Sequence, residues 1–348
     1  MLVFNLCSLL ALASALVVPQ ESDALEKRDD PKVVEAILDF EGRQFHPTVK
    51  VGSSGETFHP TLDSGSAETW FVNNNDWVHH STSLVNLTTP FHVGFLGSKK
   101  PRTGYYVTDT MYFDNTKTEN LQFGLVDEWD TTSNKRGLIG LARWTGKYDT
   151  LPFHLKTTGQ VERNVASIWY STKRDTGKLI FGGFDQAKVG SEWTTHSDPK
   201  TFKVPVVKVT TGGVDHYPDF GDYPIVVDTG ASNSLLPRAI VKPIAEYYNA
   251  TLVGKEYEVS CNPPEGSFQL TLGSLELDIP LKEFVHQAPG KAEGICTIGA
   301  SIAEDRGNVT LIGTSLISRV VTLFDYEKGE VSMAKLIDTP EENIVAAK

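Results

Sequence analysis

Short apolar runs closed off by Gly, Pro, Asn or Asp dominate this chain. VVEAILDF (33–40), FHPTLDS (58–64), YYVTDTMYF (105–113), ASIWYST (166–172) and KLIFGG (178–183) are rich in β-branched and aromatic residues. So are YPIVVDT (223–229), FQLTLGSLELDIPL (268–281), VTLIGTS (309–315) and VVTLFDY (320–326). Runs of this length and composition predict strands. Helical periodicity is scarce, and PRAIVKPIAEYYN (237–249) and TLPFHLKTT (150–158) are its better candidates. The pattern predicts a mainly β protein with a few short helices. One apolar run stands apart. Leu2–Val18 is nearly free of polar residues and contains Ala13-Ser14-Ala15, the small-x-small pattern at which signal peptides are cut.

The strand pattern contains a duplication. Asp63-Ser64-Gly65 is followed 75 residues later by Leu138-Ile139-Gly140, and Asp228-Thr229-Gly230 is followed 83 residues later by Leu311-Ile312-Gly313. Alone, an Asp-hydroxyl-Gly triplet reads as a polar turn. Two copies, each followed in the same order by two apolar residues and a Gly, point instead to a pair of equivalent sites. Asp175-Thr176-Gly177 is a third triplet, but Lys173, Arg174 and Lys178 surround it and no apolar run leads into it. It predicts a hairpin turn between IWYST and KLIFGG.

Composition narrows the compartment and the partners. The expected leader is a signal peptide over 1–15 and a short acidic segment over 16–28 ending in the dibasic pair Lys27-Arg28, a processing site. No second long apolar run follows, which excludes a membrane span as an expectation. The net charge of −12, without basic clusters, argues against nucleic acid and anionic membranes and suits work at low pH. Of three cysteines, Cys7 belongs to the leader. Cys261 and Cys296 form an even pair in a secreted chain, so a disulfide is expected, free buried thiols being the alternative. Asn86, Asn249 and Asn308 head glycosylation sequons.

From about Val33 to Ala334 the chain resembles the pepsin-like aspartic proteases, particularly the secreted fungal ones. The resemblance rests on TLDSGSAETWF, RGLIGLA, KLIFGGFD, IVVDTGASNSLLP, the Cys261/Cys296 pair and VVTLFDYEKGEVSMAK. It implies a bilobal fold of two related β-barrel-like lobes, 29–185 and 186–348, with a cleft between them and one Asp in each. It implies that Asp63 and Asp228 are the catalytic pair. Two adjacent carboxyls resist double ionisation, so one would act as general base on water while the other, protonated, polarises the substrate carbonyl. Ser64 and Thr229 would bond across the lobes, and Gly65 and Gly230 would let backbone amides approach the carboxylates. The chemistry calls for neither metal nor cofactor, and the sequence contains no HExxH, GxSxG or GxxxxGK motif. The implied function is a monomeric, extracellular acid endopeptidase, made as a zymogen, that cuts polypeptides between bulky apolar residues. The alternative is a pepsin-like binding protein with weak or lost catalysis.

Several positions depart from the family pattern. Phe95 stands where the flap hairpin FHVGFLGSKKPRTGYYVTDT usually carries a Tyr that bonds the indole matching Trp70. Lys99, Lys100 and Arg102 make a basic hairpin tip, expected to be solvated or to favour acidic substrate residues. VNNNDWVHHSTS replaces a small disulfide loop, with His79-His80 expected on strand or loop. Ser66 keeps a hydroxyl beside the first Asp, Ala231 lacks it beside the second, and Thr314 replaces an Asp. The short acidic leader makes self-inhibition by a basic propeptide unexpected.

Overall fold

The computed structural model describes residues 32–348, apart from 74–75, 96–99, 129–135, 144–145, 147, 199, 220–222 and 288–289. The signal peptide, Lys27-Arg28 and Lys99 lie outside the described residues. The fold is mainly β, with three large sheets.

An eight-stranded sheet belongs to the first half of the chain. It runs Glu56–Phe58, Val49–Val51, Arg102–Tyr112, Lys117–Glu128, Trp70–Val72, Leu138–Gly140, Thr61–Asp63, with Val85–Val93 joined to Arg102–Tyr112 as a hairpin. An eight-stranded sheet in the second half runs Leu275–Pro280, Ser267–Leu272, Lys203–Thr211, Tyr223–Val227, Leu311–Ile312, Ser234–Leu236, Ala300–Ile302, with Val214–His216 added to Lys203–Thr211. A seven-stranded sheet takes strands from both halves: Thr194–Ser197, Glu330–Lys335, Val320–Asp325, Val165–Ser171, Thr176–Phe181, Val34–Glu41 and Gln44–Pro47.

Alternation explains the strands. In Val34–Glu41 the residues Val34, Ala36 and Leu38 are buried while Ile37 and Asp39 face outward, the period of two that a half-covered sheet requires. A single large core cluster includes Phe45, Leu62, Trp77 and Phe123 as well as Phe202 and Phe268. The run FQLTLGSLELDIPL is two strands and not one, because positive-φ Gly273 turns Ser267–Leu272 back onto Leu275–Pro280. Asp175, at φ 52°, turns Val165–Ser171 into Thr176–Phe181, as expected of the third triplet. The helix Arg238–Tyr247 buries Ile240, Val241, Ile244 and Ala245 on one face, and Leu151–Thr157 forms the other expected helix. Cys261 and Cys296 are bridged, stapling a four-stranded sheet that contains Glu256–Ser260 and Ile295–Ile298. Among the described residues no helix is long and apolar enough to cross a membrane.

The duplicated motifs occupy equivalent places. Thr61–Asp63 pairs in parallel with Leu138–Gly140, Gly140 lying opposite Asp63. Tyr223–Val227 pairs in parallel with Leu311–Ile312, and the Asp228 N–H donates to the Ile312 carbonyl at 2.9 Å. In each half the apolar pair also meets the strand that follows the triplet, Leu138 with Trp70 and Leu311 with Leu235.

Candidate active site

Asp63 ends its strand and Asp228 directly follows its own, so backbone pairing fixes both side chains at the root. The Gly65 N–H donates to Asp63 Oδ1 at 2.8 Å, and the Gly230 N–H to Asp228 Oδ1 at 2.9 Å. The Asp63 carboxyl is close enough to that of Asp228 to oppose its ionisation. The glycines have a further reason to be there. A Cβ on Gly65 would lie 2.9 Å from the Asp228 carboxyl carbon, and one on Gly230 would lie 2.6 Å from that of Asp63. Each glycine therefore makes room for the opposite loop's carboxylate.

Hydroxyls lock the loops together. The Ser64 N–H donates to Thr229 Oγ1 at 2.9 Å and the Thr229 N–H to Ser64 Oγ at 3.0 Å. Each hydroxyl then donates across the interface, Ser64 Oγ to the Val227 carbonyl at 2.7 Å and Thr229 Oγ1 to the Leu62 carbonyl at 2.8 Å. Both residues are buried, so these four bonds are made where water cannot replace them.

The environments of the two acids differ. Ser66 Oγ donates to Asp63 Oδ2 at 2.6 Å, a charge-assisted bond that favours the carboxylate. Ala231 offers Asp228 no hydroxyl. Burial, and then the neighbouring Asp63, push Asp228 well above the usual carboxylate range. Asp228 therefore holds its proton to higher pH than a free carboxyl does.

Around the second loop lie residues that the motifs did not single out. Arg43 Nη1 donates to Asn233 Oδ1 at 2.7 Å and Nη2 to the Ser232 carbonyl at 3.2 Å, while Gln44 Nε2 donates to the Gly230 carbonyl. Burial brings the Arg43 guanidinium down to about 10. Burial and then Arg43 bring nearby His286 down to about 3, keeping it neutral. Thr314 Oγ1 donates to the carbonyls of Arg43, at 2.5 Å, and Ser232, at 3.2 Å, so it ties the second loop to the turn at Arg43. Glu68, from the first loop, accepts from Tyr148 at 3.0 Å and from Tyr106. The available signal for Arg43 was the Glu41-Gly42-Arg43 sequence between two strand-like runs; Arg43 has a φ of 65°.

The hairpin Val85–Val93/Arg102–Tyr112 approaches Trp70. Phe95 packs on it with ring centroids 5.9 Å apart. Arg102 corrects the expected solvated basic tip: only 4% exposed, it lies over the Trp70 ring, whereas Lys100 is exposed. His79 and His80 are exposed on the short helix Asp76–His80, not on strand or loop. Among the described residues no group of three or more His, Cys, Asp or Glu could hold a metal. Asn86, Asn249 and Asn308 are all exposed.

The chain is similar to known proteins over most of its length. The family model for eukaryotic aspartyl protease matches residues 44–336. Candidapepsin-2 of Candida parapsilosis is 30% identical over 335 residues, covering 88% of this chain and 78% of that protein. Secreted aspartic protease 6 of Candida albicans is 26% identical, covering 76% of this chain, and this chain spans 65% of that relative. Secreted aspartic protease 10 of Candida albicans is 24% identical, and the chain spans 57% of its length.

Proposed function

Because the chain belongs to the eukaryotic aspartyl protease family, we propose that it is a secreted acid endopeptidase whose catalytic pair is Asp63 and Asp228. The observation that carries this reading is the pair of carboxyls, each packed against the other loop's glycine, one with a hydroxyl donor and one without. Asp63, as carboxylate, takes a proton from a water held between the acids. The water oxygen attacks the peptide carbonyl carbon, and Asp228 gives its proton to the carbonyl oxygen. On collapse of the tetrahedral species Asp63 passes its proton to the departing amine as the C–N bond breaks, while one of the two hydroxyls re-forms the carbonyl and returns its proton to Asp228, which leaves the pair ready for another water. The Ser64–Thr229 bonds keep the two loops from drifting apart during these transfers.

Phe95 and Trp70 supply an apolar wall, which favours bulky apolar side chains beside the cut bond. In this reading the lobes divide near 185/186, the leader is removed at Lys27-Arg28, the secreted monomer carries glycans at Asn86, Asn249 and Asn308, and the natural substrates are polypeptides. No observation favours a cleft kept only for recognition.

The test is cleavage of an unfolded protein across a pH series, with products mapped by mass and a transition-state-mimic inhibitor as control. Asp63→Asn and Asp228→Asn should each lower kcat by about three orders of magnitude. Full cleavage by either variant would overturn the assignment.

A further inference from the structure

We propose that Arg102 is the positioning residue that latches the hairpin over the cleft, by stacking its guanidinium on Trp70. The inference rests on the protease reading above. Trp70 is 1% exposed and lies seven residues beyond Asp63. Trp70 pairs with Leu138, whose strand in turn pairs with that of Asp63, so the indole is rigid with respect to the first acid. Its N–H is buried and has no hydrogen-bond partner among the described residues. The hairpin therefore does not hold to this wall through the indole's polar edge.

It holds through the ring face. The guanidinium carbon of Arg102 sits 4.9 Å from the Trp70 ring centre and 6.0 Å from that of Phe95. With the 5.9 Å between Phe95 and Trp70, these contacts close a triangle. Two of its corners come from the two limbs of the hairpin. Phe95 lies two residues past Val93 on the outgoing limb, and Arg102 is the residue paired with Val93 on the returning limb. Trp70, Phe91, Val126 and Leu138 form an apolar cluster, with Val93 and Phe95 packed against it. A cation–π contact strengthens when the cation is desolvated, and Arg102 is 4% exposed. Opening the hairpin would separate the guanidinium from the indole, so the contact stabilises the closed state selectively. Closure is the step that shields the water and carbonyl from solvent.

The role predicts a non-additive pattern. Arg102→Gln keeps a planar polar head but removes the charge, and Arg102→Ala removes both. Each should lower kcat by about three- to thirtyfold without moving either limb of the pH profile. Phe95→Tyr puts a hydroxyl on the ring that packs on Trp70 and so offers the orphaned indole N–H an acceptor. In the Arg102→Ala background it should restore most of the loss, whereas in the parent it should gain little. Kinetics of the four proteins, with thermal unfolding of each, make the test. Where Arg102→Ala does not fold, Arg102→Gln with and without Phe95→Tyr replaces it. Parent-like kcat in Arg102→Gln, or a loss that Phe95→Tyr leaves unrestored, would overturn the latch. A parent protein that cuts nothing at any pH would instead overturn the protease reading.

Discussion

At the scale of single residues, the asymmetry between Ser66 and Ala231 has consequences for pH. An unfolded Asp loses its proton near pH 4, whereas folded Asp228 keeps its proton to higher pH because burial and Asp63 oppose its charge. Over that interval the folded state binds more protons, so stability falls as pH rises from about 4 through neutrality. Asp228→Asn cannot ionise. It should flatten this slope and leave the protein more stable than the parent at pH 7, by on the order of a few kcal/mol. Thermal unfolding of both proteins between pH 4 and 7 checks the sign, and parallel curves would contradict it. Ala231→Ser addresses the same acid differently. A hydroxyl there would do for Asp228 what Ser66 does for Asp63 at 2.6 Å, stabilising its charged form. The alkaline limb of kcat/KM should move to lower pH; a limb that stays put or rises would show that position 231 does not reach the carboxylate.

At the scale of elements, the four bonds between the Ser64 and Thr229 loops act as one unit. Thr229→Val keeps the shape but leaves the Ser64 N–H without its acceptor and the Leu62 carbonyl without its donor. Buried groups stranded in this way cost about 1–3 kcal/mol each. Thermal unfolding should show that loss in Thr229→Val and not in Thr229→Ser, with kcat falling in parallel; equal stability of all three would count against the lock. These elements were readable in the sequence because each is a local pattern: an apolar strand, an Asp-hydroxyl-Gly and a later apolar pair with Gly. The glycine requirement was only partly readable, since the atom that excludes a Cβ on Gly65 belongs to Asp228. Arg43 and Arg102 were illegible for a related reason. A basic residue in a turn or hairpin looks solvated until the partner that covers it, Asn233 or Trp70, is brought up from elsewhere in the chain.

At the scale of the molecule, both halves depend on a late segment. Lys188 is fully buried, 3.9 Å from Asp185, and its ammonium donates to the carbonyls of Thr339, at 2.7 Å, and Glu341, at 2.5 Å. Ile344–Ala346 adds a strand to Gly183–Asp185. Ending the chain after Leu336 would strip the cation of both carbonyls. Breaking a buried charge arrangement costs about 3–5 kcal/mol, so the shortened protein should unfold at distinctly lower temperature or denaturant. An unchanged midpoint would mean that Trp169, whose ring lies 4.4 Å from the ammonium, and Asp185 suffice.

The seven-stranded sheet also has a birth order. Val165–Ser171 sits between Thr176–Phe181, made moments later, and Val320–Asp325, about 150 residues further on. At ribosomal speed that gap lasts on the order of ten seconds. Throughout it, a strand carrying Ile168, Trp169 and Tyr170 offers one bare edge to whatever is nearby. A defect confined to residues 320–335 would then leave that edge bare after synthesis is complete, and would be felt first by their distant neighbour, as aggregation of newly made chains.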